Sequence, residues 1–469
     1  MRMLAVATVL LVGCSHAPAG GDGSGGGGGD DQAVPDAGIT VEPAAWSADP
    51  ACSAAVTAIY DAQPAGPRGS VLACALGEKL DTAGAQAAMA GDGAEGVTAR
   101  TGVRVVKLAY RTVRSDGTAV VTTATAYLPL VPRALPAPIV LVGRSTSGIA
   151  DTCAPSRETM PGKNLALPFA ARGFVTITPD FSGLGNAGTH AYLDTHEEVA
   201  QLFDGALALR ALLAPGTGGD PVAAVGYSQG GGIVLGAQAL EHAMTGKRTL
   251  KAVAAIAPEW PISTRSFGYE DVLRNPDRIT GLAGLSPPTV TVLRHYGFLI
   301  NHLDESHGGD AFPASQASSI ISSVESLCTV PLGGALGARQ RYLRDLVDDT
   351  FRRQVLGCID GTPACAGLGQ QFHDWLVSDF VTADPQGARV LIAQGLGDQV
   401  MPAAGEAACD VAKLRAEGVE PDLCVDATAT HDTVLERRIE DVVAWTEAVA
   451  SGQAPVLACG SQSLPACSR

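Results

Sequence analysis

Ala224-Val225-Gly226-Tyr227-Ser228-Gln229-Gly230-Gly231 is the stretch on which the reading of the chain turns. The residues before it, Val222–Val225, form a short apolar run of the kind that builds a buried strand. From Gly230 to Ala243 apolar residues return at helical spacing. Between the two, Gly226, Ser228 and Gly230 satisfy G-x-S-x-G. That is the strand–turn–helix setting of a nucleophile elbow, in which small neighbours admit a strained turn that lifts the serine above the sheet. The helix then aims its N-terminal N–H groups at a carbonyl held over Ser228, the backbone N–H of Gln229 first.

A serine hydroxyl is a weak nucleophile and needs a base oriented by an acid. On this elbow the chain order is serine, acid, histidine. The run Arg389–Ala393 reads as a late strand and leads into Gly395-Leu396-Gly397-Asp398. Asp398 therefore lies past the carboxyl end of a strand, where sites gather in open α/β sheets. Its rival Asp384 precedes the strand and belongs to the other end. His431 follows a short strand near Leu423–Val425 and comes just before a final helix over Val434–Ala448, which makes it the expected base. Asp432 beside it is expected to cap or solvate that helix. The second donor to an oxyanion is expected in the loop after Ile139–Val142, from Thr146 or Ser147. Arg144 in the same loop is expected to pair with a nearby carboxylate.

Outward from the elbow the pattern alternates. Val103–Val113 and Ala119–Leu128 flank Ser115-Asp116-Gly117 and read as a hairpin. Ile139–Val142, Phe174–Thr178, Val222–Val225 and Ala252–Ala257 read as strands, with helices over Lys163–Ala171, Glu197–Leu212 and Gly230–Ala243. The alternation implies a mostly parallel sheet with helices on both faces, an α/β fold. Residues 262–378 carry helices and loops without a strand run, and the pattern resumes at Arg389. One sheet interrupted by a helical cap insertion over about 262–378 is the expected architecture of a single domain, residues 49–469.

The N-terminal end reads differently. Arg2 and the apolar run Met3–Leu11 form a secretory leader, and Leu11-Val12-Gly13-Cys14 looks like a lipobox. Residues 1–13 are expected to be removed and Cys14 lipidated, which tethers the chain to a bacterial envelope leaflet without a spanning helix. Residues 14–48, with Gly25–Gly29 and Asp30-Asp31, read as a flexible linker. No apolar run reaches the ~18 residues of a spanning helix. The chain has 48 acidic and 32 basic residues, a formal charge of −16, which argues against a nucleic-acid partner. Without Cys14, the 11 cysteines leave an even set, as an exported disulfide-bonded chain requires. Sequence does not fix the pairing. Local spacing favours Cys52–Cys74, Cys358–Cys365, Cys409–Cys424 and Cys459–Cys467, leaving Cys153 for Cys328.

Cys153-Ala154-Pro155-Ser156, Pro179-Asp180-Phe181-Ser182-Gly183-Leu184-Gly185, Gly226-Tyr227-Ser228-Gln229-Gly230-Gly231, and Gly397-Asp398 with Val400 and Pro402 together resemble the secretory lipases. These are capped α/β-hydrolases of bacteria and fungi that cleave carboxylic esters. The resemblance spans about residues 50 to 450. It implies an α/β-hydrolase fold, an acyl pocket under the insertion, and catalysis by Ser228, Asp398 and His431. Many of these lipases read His-Gly-Thr-Thr-Gly where this chain has Arg144-Ser145-Thr146-Ser147-Gly148. The expected substrate is a small-molecule or lipid ester, with no cofactor and no metal. Two other readings fit the same sequence. One is a serine peptidase of this fold holding a substrate amine on Glu197 or Glu198. The other is a noncatalytic surface-binding module.

Three patterns are weaker. Gly183-Leu184-Gly185-Asn186-Ala187-Gly188 satisfies G-x-G-x-x-G, but no helix starts within it, so it reads as a tight loop rather than a dinucleotide site. His302, Asp304, His307 and Asp310 lie in one loop of the insertion and have metal-ligand chemistry. His190 and His196 flank a loop-to-helix junction, where solvated or capping roles are expected.

Overall fold

The structure is a computed structural model that describes residues 45–52, 55–56, 64–160, 162–261, 267–277, 287–339, 342–459 and 463–467. The leader, Cys14 and residues 14–44 of the expected linker lie outside these. The last residues of that linker are packed. The Trp46 indole donates to the Pro129 carbonyl at 3.1 Å, and Ala48 is buried in the main core. Packed chain therefore begins before the expected boundary near Asp49, because the indole gains both apolar cover and a hydrogen-bond acceptor there.

Nine strands form one sheet: β1 Val71–Leu80, β2 Val103–Val113, β3 Ala119–Pro129, β4 Ala137–Gly143, β5 Val175–Pro179, β6 Gly218–Tyr227, β7 Ala252–Ile256, β8 Arg389–Gly395 and β9 Asp422–Asp426. Their order is β1-β2-β3-β5-β4-β6-β7-β8-β9. The β1–β2, β2–β3 and β3–β5 joins are antiparallel, and every later join is parallel. The hairpin pairs in unbroken register from Val103↔Pro129 to Val113↔Ala119. Strand β1 and the helix after it, α1 Thr82–Ala90, carry no strong periodic signal and were not expected from the sequence. β1 is an edge strand in which Ala73 and Cys74 alone are buried, so it shows no two-residue alternation.

Both faces of the sheet are covered. In β4, Ile139 and Leu141 join one core cluster, and Val140 and Val142 join the other. That two-residue alternation with no polar face is the mark of a strand buried on both sides. Helices α3 Thr195–Leu212, α4 Gln229–Thr245 and α11 Ala408–Ala416 cover the first face, and α1, α2 Lys163–Ala171 and α12 His431–Ala450 the second.

Between β7 and β8 the chain forms α5 Phe267–Arg274, α6 Pro287–Phe298, α7 Ala317–Ser326, α8 Thr329–Arg339, α9 Asp349–Asp360 and α10 Gly367–Asp379. No strand occurs there among the described residues. These helices enclose a core of their own, with Val292, Leu293, Phe298, Phe351 and Phe372, and it reaches Ile149, Tyr192 and Leu193 in loops of the α/β part.

The disulfides are Cys52–Cys74, Cys153–Cys328, Cys358–Cys365, Cys409–Cys467 and Cys424–Cys459. The last two replace the expected neighbour pairs Cys409–Cys424 and Cys459–Cys467. Cys424 is buried with α12 on one face of the sheet, whereas Val411 and Leu414 pack α11, which carries Cys409, against the other. A Cys409–Cys424 bridge would have to cross the sheet. The chain after α12 returns past both sites instead, and loop-closure entropy rises too slowly with length to forbid the longer pairings.

Candidate active site

Ser228 sits between β6 and α4 with φ 56° and ψ −119°. This conformation is strained for a residue with a Cβ and costs ~1–3 kcal/mol. Its neighbours must be glycine for a steric reason. A Cβ on Gly226 would lie 1.9 Å from the Gly230 carbonyl oxygen, and a Cβ on Gly230 would lie 1.9 Å from the Gly143 carbonyl oxygen. The turn is fastened by the Ser228 N–H donating to the Ile256 carbonyl at 2.9 Å and the Glu259 N–H donating to the Ser228 carbonyl at 3.1 Å.

The side chains expected to meet are in contact. His431 Nε2 lies 2.9 Å from Ser228 Oγ, and His431 Nδ1 lies 2.9 Å from Asp398 Oδ2. Asp398 Oδ1 accepts from the N–H groups of Val400 at 2.8 Å and Met401 at 2.7 Å, and Oδ2 accepts from Gln394 Nε2 at 3.2 Å. Ser228, Asp398 and His431 are 2%, 5% and 2% exposed, so this line is shielded from bulk water. The Tyr227 hydroxyl donates to the His431 carbonyl at 2.8 Å and holds the start of α12 over the elbow. His431 is the first residue of α12 rather than a residue ahead of it. Thr430 is the cap and forms a capping box with Thr433, while Asp432 is exposed. Asp384 lies away from this line and is tied to Arg248 at 2.8 Å.

Gln229 carries a second polar cluster beneath the elbow. Its Nε2 donates to Glu198 Oε1 at 2.5 Å and lies 3.3 Å from His190 Nε2. Burial pushes the Glu198 carboxyl well above the usual carboxylate range. Burial, with Arg144 nearby, pushes His190 down to about 3. The 3.4 Å contact between Glu198 and His190 is therefore between neutral groups and not an ion pair. Glu197 is bonded to Arg114 at 2.9 Å, Ser182 at 2.7 Å and Gln201 at 3.0 Å. Neither glutamate is left to hold a substrate amine. His190 also departs from its expected solvated role. It is buried and stacked on Phe181 at 5.8 Å, because the glycine loop at 183–188 folds it inward. That loop is tight: a Cβ on Gly183 would lie 2.3 Å from the Thr189 backbone, and no helix begins until Thr195.

The loop after β4 is pinned to the cap. The Ser147 carbonyl accepts from the Thr329 N–H at 2.9 Å, the Thr146 carbonyl from the Thr329 hydroxyl at 3.2 Å, and the Cys153–Cys328 bridge joins the same segments. The Thr146 hydroxyl meets the Tyr192 hydroxyl at 2.8 Å. Arg144 is the loop residue nearest the elbow helix, with its backbone N 2.6 Å from a Cβ built on Gly230. Contrary to expectation, it has no ion pair among the described residues. Its Nη1 donates to the Ser145 carbonyl at 2.8 Å. The nearby Asp180 carboxylate is taken by the Thr123 hydroxyl at 2.6 Å and the Ser156 N–H at 3.0 Å.

The histidines of the insertion do not converge. His302 lies 3.2 Å from Asp194, while His307 pairs with Asp310 at 2.7 Å on the surface. Among the described residues, one group of three ligand-type side chains is close enough to share an ion, Cys424, Asp441 and Cys459, and its two sulfurs are joined in a disulfide. His196 is half-buried and bonded to Asp379 at 3.0 Å, which raises its pKa.

Solved structures with this arrangement of strands and helices include a ligand-bound form of the rice cell wall degrading esterase LipA from Xanthomonas oryzae. It is 18% identical, with a TM-score of 0.61 over 80% of this chain and 98% of that one. Candida antarctica lipase A is 19% identical, with a TM-score of 0.57 over 86% of each chain. A candidate hydrolase from Legionella pneumophila is 16% identical, with a TM-score of 0.64 over 82% of this chain and 100% of that one. No protein-family model and no curated protein matches the chain. At these identities the likeness is one of fold: a capped α/β-hydrolase with a mostly parallel nine-stranded sheet.

Proposed function

We propose that the chain is an exported, lipid-anchored serine hydrolase that cleaves carboxylic esters through an acyl-enzyme. The observation that carries the reading is the continuous line from Ser228 Oγ through His431 to Asp398, with 2.9 Å at each step, on a strained elbow. Ser228 Oγ attacks the ester carbonyl carbon while its proton passes to His431 Nε2. The carbonyl oxygen gains the charge and is held by the Gln229 N–H at the start of α4 and by a donor from the loop carrying Thr146 and Ser147. Collapse expels the alcohol, which takes the proton from Nε2. Water then repeats the sequence on the acyl-enzyme, releasing the acid and restoring Ser228. Asp398 fixes the imidazole with Nδ1–H toward itself, which leaves Nε2 free to accept. Every proton passes through His431 Nε2, on its way from Ser228 to the alcohol and from water back to Ser228, so the scheme needs neither metal nor cofactor.

The esterase and lipase neighbours favour ester over amide hydrolysis, as does the absence of a free carboxylate at Glu197 or Glu198 to hold an amine. The experiment that tests the reading is fluorophosphonate labelling of the wild type and of Ser228→Ala, alongside turnover of short esters and aminoacyl nitroanilides. Labelling confined to the wild type with turnover of esters alone is the expected result. A wild type that takes no label and turns over neither substrate would return the chain to the binding-module reading.

The five disulfides fit an oxidising compartment. Export with lipidation at Cys14 is the route proposed from the leader. Cys14→Ser should release the chain from the membrane fraction or leave the precursor uncut; unchanged partitioning would remove the anchor.

A further inference from the structure

A cavity of about 180 Å³ opens beside the elbow, lined by Arg144, Ser145, Ser147, Asn164, Tyr227 and Leu435 among others. Its lining includes neighbours of the reacting residues, though none of Ser228, Asp398 and His431. Tyr227 precedes Ser228, Leu435 stands one helical turn beyond His431, and the Gly143–Arg144 peptide rests against Gly230. The space is large enough for several waters or one short polar branch of a ligand.

Two of its lining residues carry buried polar atoms without partners. The Ser147 hydroxyl and Arg144 Nε have no hydrogen bond among the described residues. Arg144 is 8% exposed and makes one hydrogen bond among the described residues, from Nη1. Buried arginines ordinarily meet a carboxylate in a forked pair, because a guanidinium offers five N–H donors and keeps its charge. The carboxylates around this one are occupied or displaced. Asp180 is bonded to Thr123 and Ser156, Glu198 to Gln229, and Glu158 is exposed at the cavity wall, where its carbonyl accepts from Lys107 at 2.5 Å. The protein thus holds a buried cation close to the elbow with no carboxylate in direct contact among the described residues, and Asp180 and Glu158 act on it only from a distance.

We infer that this cavity is a subsite for a short carboxylate-bearing group flanking the scissile ester, with Arg144 as the residue that selects it. The inference rests on the ester-hydrolase reading and deepens it. A planar carboxylate is the ligand a guanidinium fork matches in both charge and geometry, and the Ser147 hydroxyl adds a donor on the same wall. Neutral acyl chains gain nothing from this cavity, since filling it with apolar atoms would leave the guanidinium desolvated and unpaired.

The test compares matched esters by base uptake: monomethyl succinate against methyl butyrate for an acid on the acyl side, and acetoxyacetic acid against propyl acetate for an acid on the alcohol side. The wild type should prefer the acidic member of at least one pair by tenfold or more in kcat/KM. That ratio should fall to about one in Arg144→Gln and be partly kept in Arg144→Lys. In the wild type alone, succinate should inhibit hydrolysis of propyl acetate competitively and succinamide should not, a measurement that needs no variant to fold. Neutral esters turned over without any acidic preference, or a ratio unchanged in a folded Arg144→Gln, would overturn the subsite and leave the esterase reading standing. A wild type that turns over no ester would remove both.

Discussion

Two buried carboxyl–imidazole pairs flank the elbow, and they are built to opposite ends. On one side Asp398 takes three N–H donors besides the His431 ring, so its oxygens serve only as acceptors, and the ring is left with one nitrogen facing Ser228. On the other side Glu198 takes Gln229 Nε2 and one long bond from the Leu193 N–H at 3.4 Å, too few to hold a buried charge, and it keeps its proton. His190 beside it is too desolvated to supply the missing charge. The same functional groups therefore give a hydrogen-bonded line to the Ser228 hydroxyl in one place and a neutral clamp on Gln229 in the other. The number of donors aimed at the carboxyl makes the difference.

The sharpest way to break the comparison is to remove the first pair. Ser228→Ala and His431→Ala should each lower kcat by roughly 10⁴–10⁶, and the double variant should be no worse than either, because the residues act as one unit. Asp398→Asn should lose about 10⁴ by favouring the wrong tautomer. A His431→Ala variant that keeps most of its ester turnover would end the assignment.

Next in size is the bridge between the two parts of the molecule. Cys153–Cys328 closes 175 residues and ties the loop after β4 to the cap. The double serine variant at these positions should lose about 2–4 kcal/mol in denaturant unfolding. An unchanged midpoint would mean that the Thr329 hydrogen bonds alone hold that junction.

The neutral clamp gives a smaller effect with a definite pH sign. Glu198 is protonated in the fold and ionises near ~4.3 when unfolded. Above that value the unfolded chain binds fewer protons than the folded one, so this residue lowers stability as pH rises. His190, Asp194 and Asp379 surround it and share that environment. Glu198→Gln keeps the oxygen acceptor for Gln229 without the proton. The melting temperature of Glu198→Gln relative to the wild type should therefore climb between pH 5 and pH 8, while kcat stays within about tenfold. A difference that is flat with pH would show that Glu198 ionises normally. The smallest effect is expected at Asp384, whose pairing with Arg248 lies away from the elbow. Asp384→Asn should leave ester turnover within about twofold, and a crippled enzyme would mean the acid had been misassigned.

What could be read from the sequence was whatever a short stretch imposes on itself. Gly226 and Gly230 flank a serine between an apolar run and a helical period, and no other residue fits those two backbones, so the elbow is legible without the fold. The places of Asp398 and His431 follow from it, since late strands of a parallel sheet deliver their carboxyl ends to one edge. Tertiary structure decided everything that depends on which distant groups arrive together. Cys409 and Cys424 are 15 residues apart but on opposite faces of the sheet, so each bonds to the returning tail instead. His190 stands in a polar loop whose glycines turn it into the core, and near Arg144 the carboxyl groups of Asp180 and Glu198 are taken by other donors while Glu158 is exposed. A side chain's type is local, but its burial and its partners are set by chain segments far away in sequence. The charge state of Glu198 and the unpaired guanidinium beside Ser228 therefore belong to the packing and have no signature in the residues around them.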